Sequence, residues 1–128
     1  MSPKKWGKQG WHFIHCVALS YPASPTEIDK QNYLAFFKSL ENVLPCSSCA
    51  DNFRKKMEKN PPDLKNSITL FKWTVDIHNS INAENGKKEI SPEEALEKIT
   101  YKFSTFQIAA SVSIAMLIVG VFWITKKK

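Results

Sequence analysis

The chain has 128 residues, of which 43% are hydrophobic, with 18 Lys and Arg against 12 Asp and Glu, four Gly and three Cys. Three cysteines are too few for the disulfide framework of a small secreted scaffold, and the scattered glycines exclude the glycine-rich loops of Rossmann and Walker nucleotide sites. Half of the formal charge of +6 comes from the three C-terminal lysines, and the other basic residues are interleaved with acids. This distribution argues against a nucleic-acid-binding face.

Prolines divide the first part of the chain into predicted helices. Apolar residues at three- and four-residue steps predict a first helix over Trp6 to Leu19, which ends before Tyr21-Pro22. A second helix is expected from Ser24-Pro25 to Pro45. The third begins at the cysteines that follow Pro45 and is stopped by Asn60-Pro61-Pro62.

Two further helices are predicted from their end signals. Ser67 is expected to cap the fourth helix, which ends at Asn85-Gly86, where Asn or Gly can adopt a left-handed cap. Ser91-Pro92-Glu93-Glu94 combines a serine N-cap, a proline at the first helical position and a glutamate at N3. Because no segment shows sustained strand alternation, the predicted class is all-α, with five helices arranged as a four-helix bundle plus one short helix.

A C-terminal segment is predicted to cross a membrane. Between Lys102 and Lys126 no residue is charged, and Phe106 to Ile124 is almost entirely apolar, long enough to span a hydrocarbon core about 30 Å thick. Residues 1–102 are therefore expected to form the folded domain and residues 103–128 the anchor. Because the N-terminus lacks an apolar signal region, we expect a tail-anchored protein with its domain facing the cytosol.

The strongest local motif is the pair Cys46 and Cys49, which follows a proline at the start of a helix. At this spacing the sulfurs are within disulfide reach, and the positive end of the helix dipole favours a thiolate, which is typical of a redox pair. Zinc is an alternative, but it would need ligands from His12, His15 or His78 on other helices. A purely structural disulfide is another, although it would close almost no loop.

Two clusters of aromatic and polar residues indicate a cofactor pocket. Trp11 and His15 lie four residues apart on one face of the first helix, and His78 and Asn82 share a face of the fourth. Flat rings beside hydrogen-bonding groups suit a heteroaromatic ligand. Each residue taken alone is better explained as a core aromatic or a buried imidazole with its hydrogen bonds satisfied, so the argument depends on their joint arrangement.

The motifs W-x-x-x-H, Y-P, P-C-x-x-C and W-x-x-x-x-H-N-x-x-N followed by G-K, in this order, resemble the Erv/ALR family of FAD-dependent sulfhydryl oxidases. The resemblance spans about Trp6 to Lys102 and is greatest to compact members encoded by large DNA viruses. It implies a helical bundle that holds FAD at its mouth and pairs into homodimers. The matching FAD-contacting positions are Trp11, His15, Trp73, His78, Asn82 and Lys87, with Asn79 and Tyr21 as weaker matches.

The resemblance also implies the roles of the cysteines. Cys46 would receive electrons from a substrate dithiol, Cys49 would lie against the flavin, and O₂ would be the final acceptor, giving hydrogen peroxide; no metal is implied. Because only Cys16 remains besides this pair, no internal shuttle pair is expected. Cys46 would then meet a thioredoxin-like carrier or another dithiol protein directly. The alternative from another class is a non-catalytic, tail-anchored helical adaptor in which the CxxC disulfide is structural.

Overall fold

The computed structural model describes residues 1–100, which form helices and loops without a strand. The helices are α1 (Pro3–Leu19), α2 (Glu27–Val43), α3 (Ser47–Lys59) and α4 (Ser67–Glu84), followed by α5 at residues 92–100. The all-α, five-helix prediction is confirmed for this part of the chain. The predicted span at residues 106–124 lies outside the described residues. Within residues 1–100, no helix has both the length and the apolar character needed to cross a bilayer.

The chain divides into two compact units after Pro92. In the first unit, α1 packs against α4, α2 against α3, and α3 against α4. Its core is apolar because each helix turns one stripe of large side chains inward, and it includes Ile14, Phe37, Phe53, Leu70 and Ile77. In the second unit, Ala95 and Ile99 are buried side chains one turn apart on α5.

Local side-chain chemistry sets the helix ends. Thr26 caps α2 through a reciprocal capping box with Asp29, so α2 starts two residues after the predicted Ser24-Pro25. The predicted Ser67 cap of α4 is wrong. Asn66 caps that helix because its side-chain oxygen accepts from the backbone N–H of Thr69 at 3.0 Å.

The end of α4 follows the prediction. Gly86 has a φ of +62°, the left-handed conformation that glycine adopts without steric cost. The backbone N–H of Lys87 then turns back to the carbonyl of Asn82 at 2.9 Å. This closure ends the helix that carries the second predicted cluster.

Candidate functional site

Cys46 and Cys49 form a disulfide at the start of α3, with their Cα atoms 5.2 Å apart. Cys46 is the N-cap residue of this helix, and its Sγ accepts from the backbone N–H of Cys49 at 3.3 Å. The sulfur therefore lies at the positive end of the α3 dipole, which stabilises a thiolate on Cys46 when the pair is reduced. The predicted placement of the pair at a helix tip is confirmed.

An open cleft of about 360 Å³ is lined in part by Cys46, which is half-buried. Glu41, Asp51 and Arg54 supply charged groups to its lining. Arg54 donates to the Glu41 carbonyl oxygen at 2.8 Å and to the Asp51 carboxylate at 3.0 Å, which ties the end of α2 to α3. Cys49, which is also half-buried, is not among the residues that line this cleft.

A second group of side chains lies between α1 and α4. The Trp11 and His78 rings stack with centroids 4.2 Å apart and an interplanar angle of 8°. His15 Nε2 lies 3.2 Å from His78 Nδ1, and His15 Nδ1 lies 2.9 Å from the hydroxyl of Thr74. The structure thus brings together three predicted residues, Trp11, His15 and His78, and adds Thr74.

His15 stays uncharged in this setting. Burial, followed by the charges of His78 and His12, lowers the pKa of His15 from 6.5 to about 3. The ring is only 4% exposed, and both of its nitrogens have polar partners. It therefore acts as a neutral donor and acceptor at neutral pH.

Two other predicted residues lie at the far end of α4. Asn82 is buried on the helix, one turn after His78. Lys87 is exposed in the turn that follows, and its backbone N–H is bonded to the Asn82 carbonyl at 2.9 Å. Their side chains remain predicted ligand contacts.

The Trp73 ring contacts residues other than Trp11, His15 and His78. Its indole Nε1–H donates to the Asn60 carbonyl at 2.7 Å, and its ring meets Phe37 edge-on with centroids 4.9 Å apart. These contacts pack it among α2, α3 and α4 rather than into the Trp11–His78 stack. Its assignment as a flavin contact stays a prediction, whereas its packing contacts with Asn60 and Phe37 are seen in the structure.

Asn79 and Tyr21, the two weaker matches to the family, each make hydrogen bonds to the backbone of a loop. The Asn79 side chain makes a two-point contact with the backbone of Ile90, donating at 2.8 Å and accepting at 3.0 Å. The Tyr21 hydroxyl, on a buried side chain, donates to the Leu64 carbonyl at 3.0 Å. Both side chains hold loops in place.

The chemistry of the α1–α4 group fits a flavin nucleotide. It offers parallel ring faces for stacking and imidazole nitrogens for hydrogen bonds. On α1, the Trp6 indole Nε1 is the one buried side-chain N or O atom without a partner in residues 1–100, so a donor is available to a bound group. Glycine at residue 10 leaves room for the Trp6 ring, because a Cβ on residue 10 would lie 3.0 Å from that ring.

A zinc site finds no support in the same region. Within the described part of the chain, no three His, Cys, Asp or Glu side chains are arranged to hold a metal ion. A structural zinc site requires four ligands, most often Cys and His. The zinc alternative therefore has no ligand set in residues 1–100.

Comparisons with known proteins agree with this chemistry. Residues 8–102 match the family model described as the Erv1/Alr family. The chain is 47% identical over 102 residues to a probable FAD-linked sulfhydryl oxidase, R368, of Acanthamoeba polyphaga mimivirus, covering 77% of this chain and 71% of that protein. It is 37% identical over 105 residues to a putative FAD-linked sulfhydryl oxidase, 347L, of Invertebrate iridescent virus 6, covering 77% and 94%.

The fold is similar to a solved cellular relative. The crystal structure of the FAD-binding domain of Erv1 from Saccharomyces cerevisiae superposes with a TM-score of 0.71 at 31% identity. The match covers 77% of this chain and 92% of that domain. The five-helix arrangement is therefore that of an FAD-binding core.

The pKa of His15 predicts a pH dependence of stability. Its folded value lies below its unfolded value, so the unfolded chain binds the extra proton between about pH 6.5 and 3, and stability falls as the pH drops through that window. Between pH 7 and pH 5 we expect the wild type to lose about 2 kcal/mol more unfolding free energy than His15→Gln. Urea denaturation of both proteins at the two pH values measures this.

The variant isolates the contribution of His15. The lowered pKa values of Asp29 and Glu84, due mainly to bonds from Thr26 and Lys56, respectively, affect stability below the pH 7 to 5 range of the experiment and are present in both proteins. Equal losses of stability in the wild type and in His15→Gln would show that this ring is charged in the folded state.

Proposed function

Because the chain belongs to the Erv1/Alr family, we propose that it is an FAD-linked sulfhydryl oxidase that forms protein disulfides, with O₂ as the electron acceptor. The observation that carries this function is the Cys46–Cys49 disulfide at the N-terminus of α3, in a fold shared with an FAD-binding domain. Its mimivirus and iridovirus relatives are named as oxidases of the same kind.

The first chemical step is thiol–disulfide exchange at Cys46. A substrate thiolate attacks Cys46 Sγ, a substrate–Cys46 bond forms, and the Cys46–Cys49 bond breaks, leaving a thiolate on Cys49. The second substrate thiol then loses its proton and attacks the substrate sulfur of this mixed disulfide, which releases Cys46 as a thiolate. The substrate has lost two electrons and the CxxC pair has gained them. Cys46 is the attacked sulfur because it lines the cleft.

The cofactor residues are proposed to be Trp11, His15, Trp73, His78, Asn82 and Lys87. When bound, FAD supplies the two-electron link between the reduced cysteine pair and O₂, which yields hydrogen peroxide. Trp11 and His78 offer their ring faces, and His15 keeps the His78 ring in place from the buried side. Asn82 and Lys87 lie at the end of α4, where they would bind polar parts of the nucleotide.

The substrate is proposed to be a small thioredoxin-like carrier or another protein with a pair of thiols. The cleft beside Cys46 is open, so it can admit a cysteine on a protein surface. Among the 128 residues, Cys16 is the only cysteine besides this pair. The carrier is proposed to contact this cleft directly.

The chain is also proposed to act as a homodimer, with Phe13 of α1 in the contact. Phe13 is 58% exposed and meets Phe36 of α2 edge-on, with centroids 6.0 Å apart. An exposed aromatic ring next to a half-buried one suits burial against a second copy. This face lies on α1 and α2.

A final proposal is that residues 103–128 anchor the enzyme in a host or virion membrane with its domain in the cytosol. The support is the uncharged run between Lys102 and Lys126, which has the length and composition of a spanning helix. A membrane-bound oxidase would act on substrates close to that membrane.

Cysteine variants test the catalytic assignment. In the full chain purified in mild detergent, wild type and Cys16→Ser should show flavin absorbance and consume O₂ with dithiothreitol, because Cys16 has no part in the exchange. Cys49→Ser should keep the flavin but lose dithiol-dependent O₂ uptake to the uncatalysed rate. A folded, colourless wild type would favour the adaptor, and turnover by Cys49→Ser would contradict the role of the pair.

Removing the tail tests the anchor. Full-length chain made in cells should remain with membranes after alkaline carbonate extraction, whereas a chain ending at Lys102 should not, because the apolar segment is gone. A matched control that replaces only the three terminal lysines with serine should stay with the membranes. Extraction of the full-length chain into the soluble fraction would contradict the proposal.

Light scattering tests the dimer. Phe13→Asp should halve the protein mass of the detergent-solubilised particle, because a buried carboxylate at the contact is costly. Ile68→Asp is the control, since Ile68 is similarly exposed, at 65%, but lies in the first turn of α4. An unchanged mass for Phe13→Asp would place any dimer contact elsewhere.

A further inference from the structure

The Ser48 hydroxyl lies beside the sulfur of Cys46. Ser48 is the second residue of α3, and its Oγ is 3.3 Å from Cys46 Sγ. Because Cys46 is joined to Cys49 in a disulfide, its sulfur carries no hydrogen, and the hydroxyl must be the donor of this bond. The direction of the contact is therefore from Ser48 O–H to Cys46 Sγ.

The sulfur has a second donor, which is shared with the backbone. The backbone nitrogen of Cys49 lies 3.3 Å from Cys46 Sγ and 3.1 Å from the Cys46 carbonyl oxygen. Because one hydrogen is divided between two acceptors, it interacts with the sulfur less strongly than an undivided donor would. The Ser48 hydroxyl thus adds a donor to the one that the helix terminus supplies.

The contact from Ser48 becomes stronger when Cys46 is released as a thiolate. In the second step of the exchange, the bond between the substrate sulfur and Cys46 Sγ breaks, and its electron pair stays on Cys46. The new bond joins the two substrate sulfurs, and the proton of the attacking substrate thiol goes to solvent. A hydrogen bond to a charged acceptor is about twice as strong as one to a neutral acceptor. The hydroxyl therefore stabilises the thiolate product more than the mixed disulfide.

We propose that Ser48 is a catalytic residue of the thiol–disulfide exchange, because its hydroxyl stabilises the Cys46 thiolate and makes Cys46 a better leaving group when the oxidised substrate is released. This inference rests on the proposed function, in which Cys46 is the sulfur that the substrate attacks. The step precedes electron transfer to the flavin, so it can be measured without flavin reduction.

The thiol of Cys46 can be titrated by itself in the full chain, in detergent, when that chain carries Cys16→Ser and Cys49→Ala. Cys46 is then the only cysteine, and the backbone N–H of residue 49 is kept. The rate of alkylation by iodoacetamide, measured as a function of pH, reports the fraction of thiolate. Adding Ser48→Ala should move the midpoint of this profile upward by about one pH unit, because a bond to the charged sulfur is lost.

Two further variants separate the hydroxyl from other effects of substitution. Ser48→Thr keeps a hydroxyl on the same residue and should restore the midpoint. Ser47→Ala removes a hydroxyl one residue earlier, where the structure of residues 1–100 shows no bond to Cys46 Sγ, and should leave the midpoint unchanged. Both serines are exposed, so neither change disturbs the core. The charged groups near the cleft are the same in all of these proteins: Glu41 of α2, Asp51 and Arg54 of α3, and the N-terminal ammonium of Met1.

Release of Cys46 from a mixed disulfide tests the chemical consequence. The same single-cysteine chains are converted to mixed disulfides with glutathione and then treated with excess glutathione, and loss of the adduct is followed by mass spectrometry. Attack on the bound glutathione sulfur forms oxidised glutathione and expels Cys46 as a thiolate. Ser48→Ala should slow this release about threefold, and Ser48→Thr should not, because a less stabilised thiolate leaves more slowly.

An unchanged midpoint in Ser48→Ala would overturn the inference. An equal upward shift in Ser48→Thr or in Ser47→Ala would overturn it too, because the Ser48 hydroxyl would then not be the cause. The same holds for a shifted midpoint with an unchanged rate of release. A shifted midpoint and a slower release, in a chain whose wild type binds no flavin, would defeat the proposed function and leave the role of Ser48 in thiol exchange standing.

Discussion

The contact between α1 and α4 depends on keeping the buried His15 ring uncharged. A charged imidazole at this depth would lose its hydration without gaining an anionic partner, which is why its pKa falls to about 3. A neutral ring still needs partners for its nitrogens, since a buried polar atom left unbonded costs about 1–3 kcal/mol. Thr74 and His78 supply them, so one set of bonds both stabilises the helix pair and arranges the site.

Helix α4 connects this site to the disulfide helix. Near its start, Trp73 donates to the carbonyl of Asn60, the residue that ends α3. At its end, Glu84 accepts from Asn52 at 2.8 Å and pairs with Lys56, both on α3. These contacts hold α3 against α4 from Asn52 to Asn60. The position of the redox pair relative to the imidazoles is thus set by contacts that involve neither the cysteines nor the imidazoles.

The sequence predicted the helices well because prolines, Gly86 and the capping residues act locally. It missed the cap at Asn66, because both Asn66 and Ser67 are good capping residues and only the bond from Thr69 decides between them. The chemistry of the CxxC pair could also be predicted from the sequence, because a proline and a helix start place the pair at the positive end of a helix dipole.

Which helices pack against each other could not be predicted from the sequence in the same way. Trp11 and Trp73 each precede a histidine by four or five residues, yet Trp11 stacks on His78 while Trp73 packs on Phe37. The difference depends on which helix each face meets, and this requires long-range contacts. Thr74 was missed for the same reason, since a threonine inside a helix has no local signature until its partner on α1 is known.

The three cysteines show how position on a helix divides one residue type into different roles. Cys16 lies within α1, where burial raises the pKa of its thiol, and its nearest polar contact is His12 Nε2 at 3.8 Å. A protonated thiol is a poor nucleophile. Cys46 is the N-cap residue of α3, where the backbone N–H of Cys49 points at its sulfur, and it lines an open cleft. Because exchange requires both a stabilised thiolate and access, this helix tip is the place where we propose that electrons enter the protein.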